Sequence, residues 1–247
     1  KVSSGGVKII FTDRDDAWVE VRFGFTKWID DGKRFTFVSE RDGWRHVYSV
    51  SRDGNTVQRI TSGKYDVTRV LAVEEKSRWL YFIASPDNPA QRFLYRIDLD
   101  GNGLKRLSPE KQAGSHSYNI SPDAQWAVHS FSSFAAPPVS KFIKLAAHKT
   151  VRELESNKGL REKLSKLKQP ATEFFQVKIA DDVEVDAYAV LPPDLDKPKK
   201  YPLLVYVYGE PAGQTVVDRW GGSGGMWHRM LAQQGYIVMS FDNRGTT

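Results

Sequence analysis

The sequence contains no cysteine among its 247 residues. Disulfide bonds and thiolate metal sites are therefore excluded, and the compartment stays open, since both the periplasm and the cytoplasm suit such a chain. No apolar run approaches the roughly 20 residues that a membrane-spanning helix needs. The first residues, 1–6, lack the charged and apolar segments of a signal peptide, although a fragment would not retain a removed leader.

A strongly one-sided charge is also lacking. The 36 Lys and Arg residues are scattered among 30 Asp and Glu residues, which leaves a net charge of +6. No basic stripe alternates with stacking aromatic residues, so binding to nucleic acid is not expected. The five histidines have none of the spacings typical of metal ligands, so no metal site is predicted, and nothing in the sequence implies a cofactor. They are His46, His116, His129, His148 and His228.

The first half of the chain repeats a unit of three predicted strands. Arg59, Arg106 and Arg152 mark equivalent positions of the third strand, at steps of 47 and 46 residues. An aromatic strand opens each unit, and a second strand and a short third strand follow it. The aromatic strands are residues 32–39, 77–85 and 124–131, the second strands are 45–50, 92–97 and 140–145, and the third strands are 57–61, 104–108 and 151–154.

This repeat predicts blades of a β-propeller. A period of 40–50 residues with three or four strands per unit is typical of a propeller blade. The Asp-Gly-Asn turns at 53–55 and 100–102 favour tight hairpins, because Gly and Asn tolerate positive φ. An antiparallel sandwich is the alternative, but the equal spacing favours a propeller. Two or three blades cannot close a ring, so further blades are expected upstream.

The pattern changes after residue 155. Leu160, Leu164 and Leu167 recur among charged residues over 156–169, which suits a short amphipathic helix or a charged linker. Residues 172–179 and 183–191 then form a predicted hairpin around Asp181 and Asp182.

The last segment predicts a parallel pair of strands. A buried strand is expected at 203–208, a helix at 227–234 that Gly235 ends, and a second strand at 236–241. Two strands joined by a helix form a parallel α/β unit.

Several motifs in this order resemble the prolyl oligopeptidase family of serine peptidases, and within it the dipeptidyl peptidase IV branch. The matching motifs are Ser-Glu-Arg-Asp-Gly-Trp-Arg-His-Val-Tyr at 39–48, Leu-Tyr-Arg-Ile at 94–97, Leu-Pro-Pro at 191–193, Lys-Tyr-Pro-Leu-Leu at 200–204 and Phe-Asp-Asn-Arg-Gly at 241–245. The resemblance implies β-propeller blades followed by the N-terminal part of an α/β-hydrolase domain. It places the last blades at 1–155, a connector at 156–171 and the truncated catalytic domain at 172–247.

The resemblance also implies a function. The parent protein would be a serine exopeptidase that releases N-terminal dipeptides with Pro or Ala in second position, by acyl transfer at a Ser–Asp–His triad beyond residue 247. Peptides would be its substrates, and this fragment alone would be inactive. Tyr208 matches the tyrosine whose hydroxyl contributes to the oxyanion hole. The sequence departs from the family at Glu210, where Gly is usual and where Glu adds bulk and charge.

Two alternatives remain open from the residues. One is another branch of the family, an acylaminoacyl peptidase or an endopeptidase acting after proline. The other is a non-catalytic propeller scaffold, to which Glu210 lends support. The natural substrate, and whether the intact parent forms a homodimer, are not determined by these residues.

Two further motifs are weaker candidates. Gly-Gly-Ser-Gly-Gly at 221–225 matches the G-x-S-x-G pattern of a nucleophile elbow around Ser223. An elbow needs a buried strand before the serine, and residues 216–220 are too short and polar to form one. A flexible loop before a helix is therefore predicted there. Asp242 and Arg244 are interpreted as a structural turn after a strand.

Overall fold

The structure is a computed structural model that describes residues 5–20, 26–209 and 213–246. The strands of these ranges form four sheets of four strands each. The first sheet contains β1 (Lys27–Ile29), β2 (Arg34–Ser39), β3 (His46–Ser51) and β4 (Val57–Arg59). The second contains β5 (Val67–Glu74), β6 (Trp79–Ala84), β7 (Phe93–Asp98) and β8 (Lys105–Arg106). The third contains β9 (Ser115–Ile120), β10 (Trp126–Ser132), β11 (Val139–Lys144) and β12 (Lys149–Glu155).

Each of these three sheets is an antiparallel meander in which successive strands are neighbours. Tight turns close the hairpins: Gly54 and Gly101 adopt φ values of 83° and 90°, a region that glycine enters without steric cost. At Gly54 an added Cβ would also lie 2.0 Å from the carbonyl oxygen of Ile10. The predicted Asp-Gly-Asn hairpins are confirmed.

Equivalent positions of the first two sheets also make the same hydrogen bond between a side-chain hydroxyl and a backbone N–H. In the first sheet Thr61 Oγ1 accepts the backbone N–H of Val47 at 2.9 Å. In the second sheet Ser108 Oγ accepts the backbone N–H of Leu94 at 3.0 Å. Ser108 comes 47 positions after Thr61, and Leu94 comes 47 positions after Val47. The hydroxyl after the fourth strand therefore has the same role in each sheet. It satisfies a buried amide where the third strand begins.

The second sheet is covered on both faces, as expected for a blade between two other blades. Leu80 and Phe82 of β6 pack with residues of the first sheet. Tyr81 and Ile83, which point to the opposite face, pack with residues of the third sheet. Three separate sheets stacked face to face are propeller blades, and the alternative of one continuous sandwich is wrong.

Trp79 and Trp126 occupy equivalent positions, as the repeat predicts. They are the first residues of β6 and β10, and each of these is the second strand of its sheet. A cation lies over each ring, with Arg96 4.3 Å from the centroid of Trp79 and Lys144 5.6 Å from that of Trp126.

The first strand of each blade was not individually predicted. These strands are β1, β5 and β9, and all three are edge strands of their sheets. Strands β1 and β9 contain few buried apolar residues. Strand β5 is irregular, with register shifts against β6. A shift breaks the strict alternation on which sequence patterns depend.

The segment after the third blade contains α1 (Lys158–Leu164), in which only Leu164 is buried. Leu160 and Leu167 are exposed. The short helix is therefore a solvated connector with a single apolar anchor.

The fourth sheet is mixed. Its strands are β13 (Ala171–Ala180), β14 (Val183–Leu191), β15 (Leu203–Tyr206) and β16 (Ile237–Phe241), in the order β13-β14-β16-β15. Strands β15 and β16 are parallel, and α2 (Gly222–Gln233) connects them. The predicted hairpin and the predicted parallel pair are confirmed. A third apolar core joins this sheet to α2 through Tyr188, Val190, Ala232 and Val238.

Two details of this segment differ from the sequence prediction. Strand β15 is exposed rather than buried, with Leu203 and Val205 at 56% and 43% exposure, because it lies at the edge of the sheet. Helix α2 begins at Gly222, five residues before the predicted start. Glycine has a weak helix propensity, so the glycine-rich residues at the start of this helix carried no helical signal.

Among the described residues, no helix is both long and apolar enough to cross a membrane.

Candidate functional site at the ends of two parallel strands

Tyr208 lies at the edge of the fourth sheet where two parallel strands end. It follows the last residue of β15 by two positions, and Asp242 comes directly after Phe241, the last residue of β16. The carboxyl ends of adjacent parallel strands meet at one edge, which is where open α/β sheets bind ligands. The topology therefore brings Tyr208 and Asp242 together, although 33 residues separate them in the sequence.

The Tyr208 hydroxyl makes three hydrogen-bond contacts. Its oxygen accepts the backbone N–H of Asn243 at 3.0 Å. Its single proton has two acceptors, Thr246 Oγ1 at 2.7 Å and Asp242 Oδ1 at 3.3 Å. Thr246 Oγ1 also lies 3.1 Å from the carbonyl oxygen of Gly213 and can donate to it. When Thr246 does so, Tyr208 is the donor to Thr246. The phenol is held in place and is polarised as a donor.

Asp242 is the buried anchor of this arrangement, with 4% exposure. Its Oδ1 accepts the backbone N–H of Thr215 at 2.7 Å and that of Val216 at 3.1 Å. The hydroxyl of Thr215 is a further donor at 3.2 Å. Among the described residues its Oδ2 has no hydrogen-bond partner. The side chain of Arg244 is exposed. Asp242 thus accepts hydrogen bonds from the loop that precedes α2, in addition to its place in the predicted structural turn.

Two groups near Asp242, the Asp186 carboxyl and the Tyr188 phenol, have raised pKa values. Burial raises the pKa of Asp186, whose backbone oxygen accepts the N–H of Asp242 at 2.9 Å. The negative charge of Asp242 adds to this rise. Burial also raises the pKa of the Tyr188 phenol to about 12. Asp186 and Tyr188 are therefore shielded from water, whereas Tyr208 itself is partly exposed.

A polar cavity of about 430 Å³ lies between the blades and the loop before α2. Its lining includes Arg92, His116, Ser130, Gln214 and Arg219. Burial, followed by the charge of Arg219, lowers the pKa of Arg92 to about 10, so the guanidinium stays protonated at neutral pH. Arg92 donates to Gln214 and to the carbonyl oxygen of Pro89. The cavity suits a polar ligand, and its walls come from the blades and from the loop that leads away from Tyr208.

Ser223 does not stand at an elbow in this structure. It is the second residue of α2, and bends rather than a strand precede that helix. Its side chain is exposed. Glu210, the departure from the family pattern, lies outside the described residues.

Four of the five histidines lie in the interior. His46, His116, His129 and His228 are buried, while His148 is partly exposed. Within the described ranges, no group of three or more His, Asp and Glu residues could hold a metal ion.

Sequence reasoning missed the loop that leads from Tyr208 to α2. Asp218 and Arg229 of this region bond to the blades, with Asp218 accepting the Phe134 N–H and Arg229 donating to the Phe134 carbonyl oxygen. The polar character of residues 216–220 argued against a strand, but it did not show what those polar groups contact. Only the docking of two distant segments reveals it.

The comparisons with known proteins agree with this fold. The family model for the dipeptidyl peptidase IV N-terminal region matches residues 1–138. The crystal structure of Porphyromonas gingivalis dipeptidyl peptidase 4 is 32% identical and has a TM-score of 0.86, over 97% of this chain and 33% of that chain.

Two curated relatives are similar along most of the chain. Dipeptidyl peptidase 4 of Trichophyton equinum is 26% identical over 100% of this chain and 32% of its own length. A protein named probable dipeptidyl-aminopeptidase B from Coccidioides posadasii is 30% identical over 83% of this chain and 22% of its own. The chain thus spans about a third or less of the curated relatives it matches. From its blades and the family model that covers them, this chain belongs to the dipeptidyl peptidase IV family.

Proposed function

We propose that the chain is part of a serine exopeptidase that releases dipeptides from the N-termini of peptides, favouring Pro or Ala as the second residue. Membership of the dipeptidyl peptidase IV family supports this, as do relatives named dipeptidyl peptidase 4. The reaction is acyl transfer, in which a serine attacks the peptide carbonyl and a tetrahedral oxyanion forms. The triad is supplied by parts of the parent protein other than this chain.

The observation that carries the proposal is the placement of the Tyr208 hydroxyl. It lies at the carboxyl end of the parallel strands, with the Asn243 N–H bonded to its oxygen at 3.0 Å. A small rotation of the O–H away from Thr246 makes its proton available to an oxyanion, while Asn243 keeps the oxygen in place. Removing one such donor typically costs about 2.7–4 kcal/mol of transition-state stabilisation.

The domain division belongs to the same proposal. Residues 1–155 are the last blades of the propeller, 156–171 the connector and 172–247 the start of an α/β-hydrolase domain. The mixed sheet, with its parallel pair linked by α2, supports this assignment. Among the described strands, β15 is an exposed apolar strand at the edge of the sheet, so it suits pairing with a further strand of the parent domain.

The experiment compares three p-nitroanilide substrates with the full-length protein. Gly-Pro and Ala-Pro substrates should be cleaved at least about 100-fold faster than N-acetyl-Gly-Pro, because a dipeptidyl peptidase must bind the free amine and a site built for it rejects the blocked form. Equal release of p-nitroaniline from the acetylated substrate would instead support an endopeptidase acting after proline. No turnover of any substrate would support a non-catalytic scaffold.

A further inference from the structure

Asp218 ties the loop before α2 to two blades at once. Its N–H donates to Ala90 O at 2.6 Å, and its Oδ2 accepts Gln91 Nε2 at 3.3 Å, both from the second blade. Its carbonyl oxygen accepts Ser115 Oγ at 2.9 Å, and its Oδ1 accepts the N–H of Phe134 at 2.7 Å, both from the third blade. Every polar group of this residue therefore contacts the propeller.

The residues just before Asp218 contact the candidate site. Thr215 and Val216 donate their backbone N–H groups to Asp242 Oδ1, and the same oxygen lies 3.3 Å from the Tyr208 hydroxyl. The Val216 side chain is 1% exposed and belongs to the core of the fourth sheet. We call residues 215–218 the clasp.

The clasp is short, and backbone hydrogen bonds constrain it together with the residue after it. The N–H of Val217 donates to Thr215 O at 3.0 Å, and the N–H of Arg219 donates to Val217 O at 2.8 Å. A displacement of Asp218 must therefore also move the backbone N–H groups of Thr215 and Val216, because the turns between these residues are fixed and allow little independent movement.

These donors control how strongly Asp242 competes for the Tyr208 proton. With two N–H groups bonded to it, Oδ1 is partly neutralised and lies farther from the phenol than Thr246 Oγ1 does, at 3.3 Å against 2.7 Å. If the clasp moves away, the buried carboxylate oxygen loses its donors and becomes a stronger acceptor. Tyr208 would then donate to Asp242 instead of to an oxyanion.

We propose that Asp218 is a positioning residue, which keeps the Tyr208 hydroxyl available by fixing the clasp against the second and third blades. The inference rests on the proposed role of Tyr208. It assigns the propeller a direct part in aligning the catalytic machinery, through hydrogen bonds to one side chain and its backbone.

The test is a double-mutant cycle in the full-length protein, with kcat and KM measured for Gly-Pro p-nitroanilide. Asp218→Ala should lower kcat about 10-fold or more and change KM by less than about 3-fold, because only transition-state stabilisation is affected. In the Tyr208→Phe background the same change should lower kcat by less than about 3-fold, since residues that act as a unit are not additive.

Two further variants separate positioning from general destabilisation. Asp218→Asn keeps an oxygen for the Phe134 N–H and should recover most of kcat. Asp53→Ala removes an aspartate that bonds only within a distant blade turn, and it should leave kcat unchanged. If Asp218→Ala does not fold, Gln91→Ala removes one contact of Asp218 and should show a smaller loss of kcat with the same non-additivity.

The outcomes distinguish the two proposals. If Asp218→Ala, or Gln91→Ala, lowers kcat as much in the Tyr208→Phe background as in the wild-type protein, the positioning role is overturned while Tyr208 remains catalytic. An unchanged kcat in Tyr208→Phe alone would overturn the role of Tyr208, and with it any action of Asp218 through that residue.

Discussion

His116 Nδ1 lies 2.9 Å from His129 Nε2 inside the third blade, with the two rings stacked at an interplanar angle of 11°. His116 Nε2 is 2.9 Å from the carbonyl oxygen of Gln112, which can only accept a hydrogen bond. The neutral His116 ring therefore carries its proton on Nε2 and accepts at Nδ1. His129 must then donate from Nε2, which leaves its Nδ1 as an acceptor.

A proton added to this pair has no acceptor. Among the described residues, His129 Nδ1 is buried without a hydrogen-bond partner. Burial lowers the pKa of His116 to about 4 and that of His129 to about 3. Nearby positive charges contribute to these low pKa values: those of His148 and Arg106 at His116, and those of His116, His148 and Lys141 at His129. The pair is held neutral in the folded protein.

Acid should therefore destabilise the blade. The unfolded histidines take up protons near pH 6.5, whereas the folded pair does so only near pH 4 and below. Stability is thus complete above about pH 6.5 and falls as the pH drops towards 4, by up to about 1.4 kcal/mol per pH unit for each histidine. Thermal unfolding measured by circular dichroism between pH 7.5 and 4.5 gives the dependence of the free energy of unfolding on pH. The His129→Gln variant should take up about one proton fewer on unfolding, so its stability should fall less steeply as the pH drops. The control Asn119→Gln, at an exposed position of β9, should keep the original slope. An unchanged slope in His129→Gln would show that the pair titrates normally.

Tyr208→Phe should lower kcat in the full-length protein by roughly 10²–10³ while KM changes little. The ring and its packing remain, whereas the hydroxyl bond to the oxyanion is lost together with the contacts of the hydroxyl to Asn243, Thr246 and Asp242. Steady-state kinetics with Gly-Pro p-nitroanilide measures both constants. Tyr201→Phe is the matched control, because its hydroxyl accepts only the Asp196 N–H in a surface turn, and it should retain full activity. Full activity in Tyr208→Phe would reduce Tyr208 to a packing residue.

Ser223 should not react with a fluorophosphonate probe, and the 247-residue chain should not cleave Gly-Pro or Ala-Pro p-nitroanilide. The serine lies in the first turn of α2 rather than at a strand-to-helix elbow. Intact-mass spectrometry after probe treatment, followed by peptide mapping, gives the measurement. Stoichiometric labelling at Ser223 would mean that the nucleophile is in this chain.

Leu80→Ala should destabilise the protein by about 2–5 kcal/mol, because it opens a cavity in the core between the first two blades. Leu104→Ala is the matched control: Leu104 is 47% exposed, whereas Leu80 is 0% exposed. The control should change the free energy of unfolding by less than about 0.5 kcal/mol. Urea denaturation of both variants measures the difference, and equal effects would contradict the face-to-face packing of the blades.

Much of the fold could be predicted from the sequence because its signals are local. The Asp-Gly-Asn turns depend on glycines with positive φ, and the aromatic strands on alternation along a few residues. The first strands of the blades and the start of α2 were missed, because edge strands, register shifts and glycines obscure those patterns.

The sequence by itself determined the repeat of about 47 residues, the hairpins and the parallel pair, and thereby which elements end near Tyr208. Neighbours along the chain set these features through backbone geometry and side-chain periodicity. Only the tertiary structure decided that the Tyr208 hydroxyl meets Asp242 and Thr246, that Asp218 bonds two blades, and that His116 and His129 share a hydrogen bond. These contacts join residues on different strands and loops, so their distances depend on how whole sheets dock, which no local pattern specifies.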